Sequence, residues 1–152
     1  MISVEQYIVF IANEEKFAID ISKVERIIEY TQPKKVPEAS EFLLGVIQYN
    51  SEVIPIIDLS MRLYNLKSIQ DEDTKVIVVL WKEGHIGFLV DDILGIEHFS
   101  EEQYEKMDRE THILKDYIDG FMKSEEDITI VLNIDKIFTL EEEEELITAV
   151  AN

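Results

Sequence analysis

Three histidines and four carboxylates at the ends of apolar runs are the residues whose types could do chemistry in this 152-residue chain. His85, His98 and His112 stand 13 and 14 residues apart, with no second His or Cys at i+3 or i+4. No local pair of first-row metal ligands exists, and no metal or cofactor is expected. His85 in a predicted hairpin and His112 in a polar insert are both expected to be exposed and without a partner. The carboxylates are Asp58, Asp91, Asp92 and Asp135. Two carboxylates in unlike environments can divide acid and base roles in hydrolysis. The end of a strand is also where a carboxylate best caps a turn or a helix start, and capping is the reading preferred here. An enzyme built on Asp58 and Asp91 is the alternative.

Other nucleophile and phosphate signals are missing. There is no Cys, which removes thiolate chemistry and disulfides. The five glycines form neither GxGxxG nor GxxxxGK[ST], and no serine sits in a nucleophile elbow. GHIG at Gly84 lies between two predicted strands of an acidic chain, a poor context for clamping a nucleic-acid backbone. What remains is a protein that binds other proteins through shape and apolar contact.

Fourteen Lys and Arg against 33 Asp and Glu leave a formal charge of −19. Such a surface repels phosphate backbones and anionic headgroups, so neither nucleic acid nor a membrane surface is an expected partner. No apolar run approaches the roughly 20 residues of a membrane-spanning helix, and MISVEQYIVF lacks the basic start of a signal peptide. A soluble, uncleaved, cytoplasmic protein is expected, with 46% hydrophobic residues to fill one core.

The elements that must position these residues are mostly strands. Short runs rich in Val, Ile, Phe and Tyr recur every eight to twelve residues: 7–12, 17–21, 45–49, 53–59, 76–81, 86–90 and 128–134, with 24–30 and 93–99 as additions. Residues 13–16 and 82–85 are short enough for hairpins, the second with Gly84 free to take positive φ. SMRLYNL after Leu59 predicts a short helix or turn. Thr139 and Glu142 form a capping box ahead of a terminal helix over 140–150, whose apolar face is Leu146, Ile147 and Val150. Ser100 to Lys115, charged and poor in β-branched residues, is expected to be mobile or partly helical.

The chain also repeats itself. IVFIANEEKFAIDISKVERI from Ile8 lies over IVVLWKEGHIGFLVDDILGI from Ile77 without a gap, at an offset of 69. FLLGVIQYNSEVIPIIDL from Phe42 lies over YIDGFMKSEEDITIVLNI from Tyr117 at an offset of 75, pairing Gly45 with Gly120. The same order of hairpin, connector, Gly and strand in both halves predicts two similar small β units, barrels of about five strands packed together, with the seam as the default binding groove. The first repeat covers about 8–63 and the second 77–138.

Four blocks in order, YIVFIANEEKFAIDISKVERII, VPEASEFLLGVIQYNSEVIPIIDL, TKVIVVLWKEGHIGFLVDDILGI and YIDGFMKSEEDITIVLNIDKIF, resemble the CheW family of chemotaxis coupling proteins. The resemblance runs from about Glu5 to the terminal helix and implies a single CheW-like domain over 1–152: all-β with a C-terminal helix, two intertwined SH3-like five-strand barrels with a groove between them. It implies scaffolding without catalysis, linking chemoreceptor cytoplasmic tips to the histidine kinase CheA through the kinase's CheW-like regulatory domain, with other CheW-like domains as further partners. A receptor tip is a helical hairpin, and the groove would seat it by apolar anchors. The resemblance carries the receptor groove onto Val24, Ile27, Gly45, Gly87, Val90 and Ile96, and the kinase-facing surface onto Val36, Pro37, Phe42, Tyr49 and Asn50. A paralogue that binds only receptor or only kinase is a variant of this reading. Where the family reads GVINLRG, this chain has GVIQYNS, so Asn50 replaces an Arg and Ser51 a turn Gly. The turn is expected to survive, because Asn tolerates the left-handed region, while the planar donor fork of Arg is lost.

Overall fold

The structure, a computed structural model, describes residues 4–106 and 115–151. Strand β1 (Val4–Ala12) turns through Asn13 and Glu14 into β2 (Glu15–Asp20), and both turn residues have positive φ, 49° and 67°. That geometry matches the right-handed twist of the flanking strands. Asp20 Oδ1 accepts the Ser22 N–H and caps a 3-10 turn at Ile21–Lys23, which leads into β3 (Val24–Glu29). β4 (Leu43–Tyr49) and β5 (Glu52–Asp58) form the next hairpin around Asn50 and Ser51, φ 46° and 68°. The turn thus survives the loss of its glycine.

Helix α1 (Leu59–Tyr64) follows, its N-terminus capped by Asp58 and its end closed by Asn65 at φ 60°. The second half supplies β6 (Lys75–Trp81), β7 (Gly84–Val90), β8 (Asp92–Ser100), β9 (Tyr104–Lys106), β10 (Ile118–Lys123), β11 (Ile128–Leu132) and helix α2 (Leu140–Ala151). The expected capping box forms: Thr139 N–H donates to Glu142 Oε1 at 2.8 Å and Glu142 N–H to Thr139 Oγ1 at 3.1 Å. On α2 Leu146 is fully buried, Val150 half-buried, and Ile147 remains about half exposed.

Several expectations need correction. In the β6–β7 turn Lys82, not Gly84, takes positive φ. A Cβ on Gly84 would lie 2.6 Å from Glu52 Oε1, at the end of a flexible side chain, so the glycine brings this carboxylate close to the turn. The described part of the 100–115 insert is a 3-10 helix at Glu101–Gln103 followed by the strand β9, which is paired with β10; residues 107–114 lie outside the described residues. β10 itself was not among the expected strands, since Asp119, Gly120 and Lys123 interrupt its apolar pattern. His112 lies outside the described residues.

Two sheets result, ordered β8-β1-β2-β11-β10-β9 and β3-β6-β7-β5-β4. The halves do not fold as separate units. The β1–β2 hairpin of the first half sits among strands of the second, and β6–β7 of the second among strands of the first. Long-range parallel pairs join them, β2 with β11 and β5 with β7. The exchange keeps the repeat's register: Ile8 pairs with Ile96 and, 69 residues on, Ile77 pairs with Ile27. Self-similarity of sequence shows that the units are alike but not which copy supplies each partner strand.

Side chains of a strand alternate between faces. One face of both sheets meets in a central layer of Ile8, Phe10, Phe17, Ile77, Val79 and Phe88, with Leu146 of α2 against it. The other faces fill two smaller cores, Tyr7, Val9, Ala18 and Val131 in one sheet, Ile54, Ile56, Val76 and Leu89 in the other. Burial on both faces is why the central strands read as unbroken apolar runs. Phe138 locks the layer, its ring 6.2 Å from Phe88, 5.7 Å from Phe42 and 6.1 Å from Trp81.

Candidate functional site

The residues first searched for chemistry serve the fold. Asp58 is buried, and its carboxylate accepts from Met61 N–H at 3.3 Å, Ser68 N–H at 3.0 Å and Ser68 Oγ at 2.5 Å. Asp91 accepts the Asn13 N–H at 2.9 Å, and burial pushes its pKa above the usual carboxylate value. Asp135 pairs with Lys23 at 3.1 Å, and Asp92 is half-buried at the start of β8. Lone pairs committed to backbone and hydroxyl donors are what capping requires. Among the described residues no group of three or more His, Cys, Asp or Glu is placed to hold a metal ion.

His85 departs from expectation. Its Nδ1 lies 2.8 Å from Glu52 Oε2 and its Nε2 2.9 Å from Glu25 Oε1, and its side chain is mostly buried. The partners are 33 and 60 residues away in sequence and reach it only through sheet pairing. His98 is exposed, with Gln6 at 3.5 Å.

One end strand of each sheet, β3 in one and β8 in the other, borders the same central layer. Val24 and Ile27 of β3 are half-buried against it, as is Ile93 of β8, and Ile96 opposite Ile8 is 54% exposed. By the repeat's offset Val24 and Ile27 correspond to Ile93 and Ile96. The two edges therefore carry matching apolar pairs. Gly45, Gly87 and Val90, expected to face the groove, are buried instead. Gly45 has φ +147° and its absent Cβ would lie 2.2 Å from the Lys34 carbonyl oxygen, where Lys34 bridges to Val46. A Cβ on Gly87 would meet Ile56 Cδ1 at 2.7 Å and Val76 Cγ1 at 2.8 Å. The resemblance assigned them by position in the chain, and position alone does not separate a groove wall from close interior packing.

The second set divides similarly. Val36 is half-buried, while Pro37 and Asn50 are exposed. Val36 and Pro37 border a 630 Å³ cleft between residues 34–39 and α2, opposite Glu141, Glu144 and Glu145. Phe42 and Tyr49 are buried: Phe42 belongs to the central layer, and Tyr49 sends its hydroxyl to Glu25 Oε2 at 2.9 Å. The cleft was missed because α2 forms one of its walls from the far end of the chain.

Known proteins with this architecture supply the context for these edges. The chemotaxis protein CheW of Thermotoga maritima is 29% identical over 128 residues, covering 84% of this chain and 83% of that protein. CheW of Klebsiella aerogenes is 27% identical over 139 residues, covering 91% and 84%. Among solved structures, the scaffolding protein TtCheW from Thermoanaerobacter tengcongensis superposes with a TM-score of 0.83 at 25% identity, over 92% of this chain and 96% of that one. The two sheets are thus the two SH3-like barrels expected from the resemblance, followed by a C-terminal helix. The CheW-like domain pattern matches residues 6–142, and the chain belongs to the CheW-like domain family.

Proposed function

We propose that this chain is a non-catalytic chemotaxis scaffold that couples chemoreceptor tips to a CheA-type histidine kinase. The observation that carries the reading is the pair of end strands, β3 and β8, bearing matched apolar side chains over one core. Two edges of this kind suit an amphipathic helix laid between them. Val24, Ile27 and Ile96 are its contact residues, while Gly45, Gly87 and Val90 shape the sheets from within. Val36, Pro37 and the Asn50 turn form the kinase-facing surface, with Phe42 and Tyr49 supporting it from beneath.

The whole chain acts as one CheW-like domain, with repeats at about 8–63 and 77–138. It works in the cytoplasm and reaches receptor arrays through its partners, and it contacts other CheW-like domains there. No helix among the described residues is long and apolar enough to cross a membrane. A charge of −19 argues against direct contact with anionic lipid or nucleic acid.

Calorimetric titration into an isolated CheA regulatory domain tests the kinase arm. Saturable one-to-one binding is expected, with the Arg replaced by Asn50 dispensable. Absence of binding by the folded protein, with receptor-tip binding retained, would instead favour a paralogue that serves receptors alone.

A further inference from the structure

Glu25, Tyr49, Glu52 and His85 come from four different strands and make one connected set of contacts in the five-stranded sheet. His85 Nδ1 faces Glu52 Oε2 at 2.8 Å, His85 Nε2 faces Glu25 Oε1 at 2.9 Å, and the Tyr49 hydroxyl donates to Glu25 Oε2 at 2.9 Å. An ionised carboxylate only accepts, and a neutral imidazole has one N–H and one lone pair. Both ring contacts together therefore require the doubly protonated ring. Without that proton one carboxylate is left facing a lone pair.

Glu52 is anchored a second time, since its Oε1 accepts the His85 backbone N–H at 3.1 Å. The neutral ring accordingly keeps its Nδ1 proton for Glu52, and Glu25 is the partner released. Glu25 lies on β3, an edge strand whose ladder partner is β6 alone. We infer that His85 is a proton-operated clasp that fastens β3 to the β4–β5 hairpin, closed when the ring is charged and loosened when it is neutral.

The surrounding charges are few. Arg26 follows Glu25 on β3 and acts on Tyr49. Lys82 and Glu83 occupy the β6–β7 turn beside the ring, and Lys82 is drawn to Glu143 of α2 at 3.1 Å. Burial opposes charging His85, but its contacts with Glu52 and Glu25 outweigh that and hold the pKa above the ordinary 6.5. The clasp is closed below that ordinary value and opens as pH rises through the folded one. Regulation of receptor binding follows only if β3 is a groove wall, as proposed above, because Glu25 sits between Val24 and the Arg26–Ile27 step.

The test uses the full chain and the variant Glu25→Gln, a substitution at an exposed position. NMR follows the His85 ring against pH, and amide exchange, corrected for its intrinsic pH dependence, follows β3. The ring should titrate above 6.5, and β3 protection should fall about tenfold across that titration, the loss of one charge-assisted hydrogen bond. In Glu25→Gln the amide can donate to the neutral ring, so β3 protection should become independent of pH. A ring that titrates at or below 6.5, β3 protection indifferent to the ring's charge, or an unchanged Glu25→Gln profile overturns the clasp. Affinity for a receptor-tip helical-hairpin peptide, measured over the same pH range, should fall with rising pH in the parent and stay level in Glu25→Gln. If β3 loosens as described and the peptide binds at no pH, the clasp stands and the groove reading fails.

Discussion

Tyr49 and Glu25 join the two ends of one sheet: the phenol on β4 donates to the carboxylate on β3 at 2.9 Å, although these are the first and last strands of the order β3-β6-β7-β5-β4. The contact closes the sheet into a barrel and covers part of an edge that would otherwise be open. Tyr49→Phe keeps the buried ring and removes only the donor. It should lower stability by about 1 kcal/mol in urea unfolding. An unchanged midpoint would mean that the barrel is closed by packing alone.

Gly45 sits where no side chain fits. Its φ of +147° and the 2.2 Å approach of the Lys34 carbonyl to its absent Cβ leave Ala both strained and in collision with backbone. Gly45→Ala should cost roughly 3 kcal/mol in the same measurement. A cost below about 1 kcal/mol would show that the 34–46 bridge gives way without loss.

For the groove, Val24→Arg should reduce receptor-tip binding at least about tenfold in calorimetry, as loss of an apolar anchor does. Val24 is half-buried, so Ile96→Arg at the more exposed matching edge provides a second variant in which the fold is at less risk. Circular dichroism should be unchanged in Ile96→Arg. Full binding by both variants would reject the edge assignment.

Stability should also depend on pH through His85. A pKa raised on folding means the charged ring is stabilised by the native state, so its contribution is complete below 6.5 and disappears as pH rises through the folded value. Comparing unfolding of the parent and His85→Gln across that range should show a slope in the parent that the variant lacks. Parallel profiles would contradict the direction of the shift.

The hairpins, both helices and the capping box at Thr139 were legible in the sequence because each depends on residues a few positions apart. So was the repeat, and with it the matched edges Val24 and Ile93, Ile27 and Ile96. Strand exchange was not legible from the repeat alone, since Ile56 meeting Gly87 and Val131 meeting Ala18 are long-range pairings that identical halves could make within or between copies. The partners of His85 were hidden for the same reason. Gly45, Gly87 and Val90 were placed at a surface because sequence gives no depth, and only the neighbouring Lys34, Ile56 and Val76 reveal how tightly two of them are enclosed.

The coupling role itself is tested most directly by kinase activity in a reconstituted mixture of receptor tip, CheA and this protein. The account predicts that autophosphorylation rises only when all three are present, and that Ile96→Arg abolishes the rise without affecting kinase alone. Activity indifferent to this protein, although it is folded and mixed in excess, would contradict the scaffold reading.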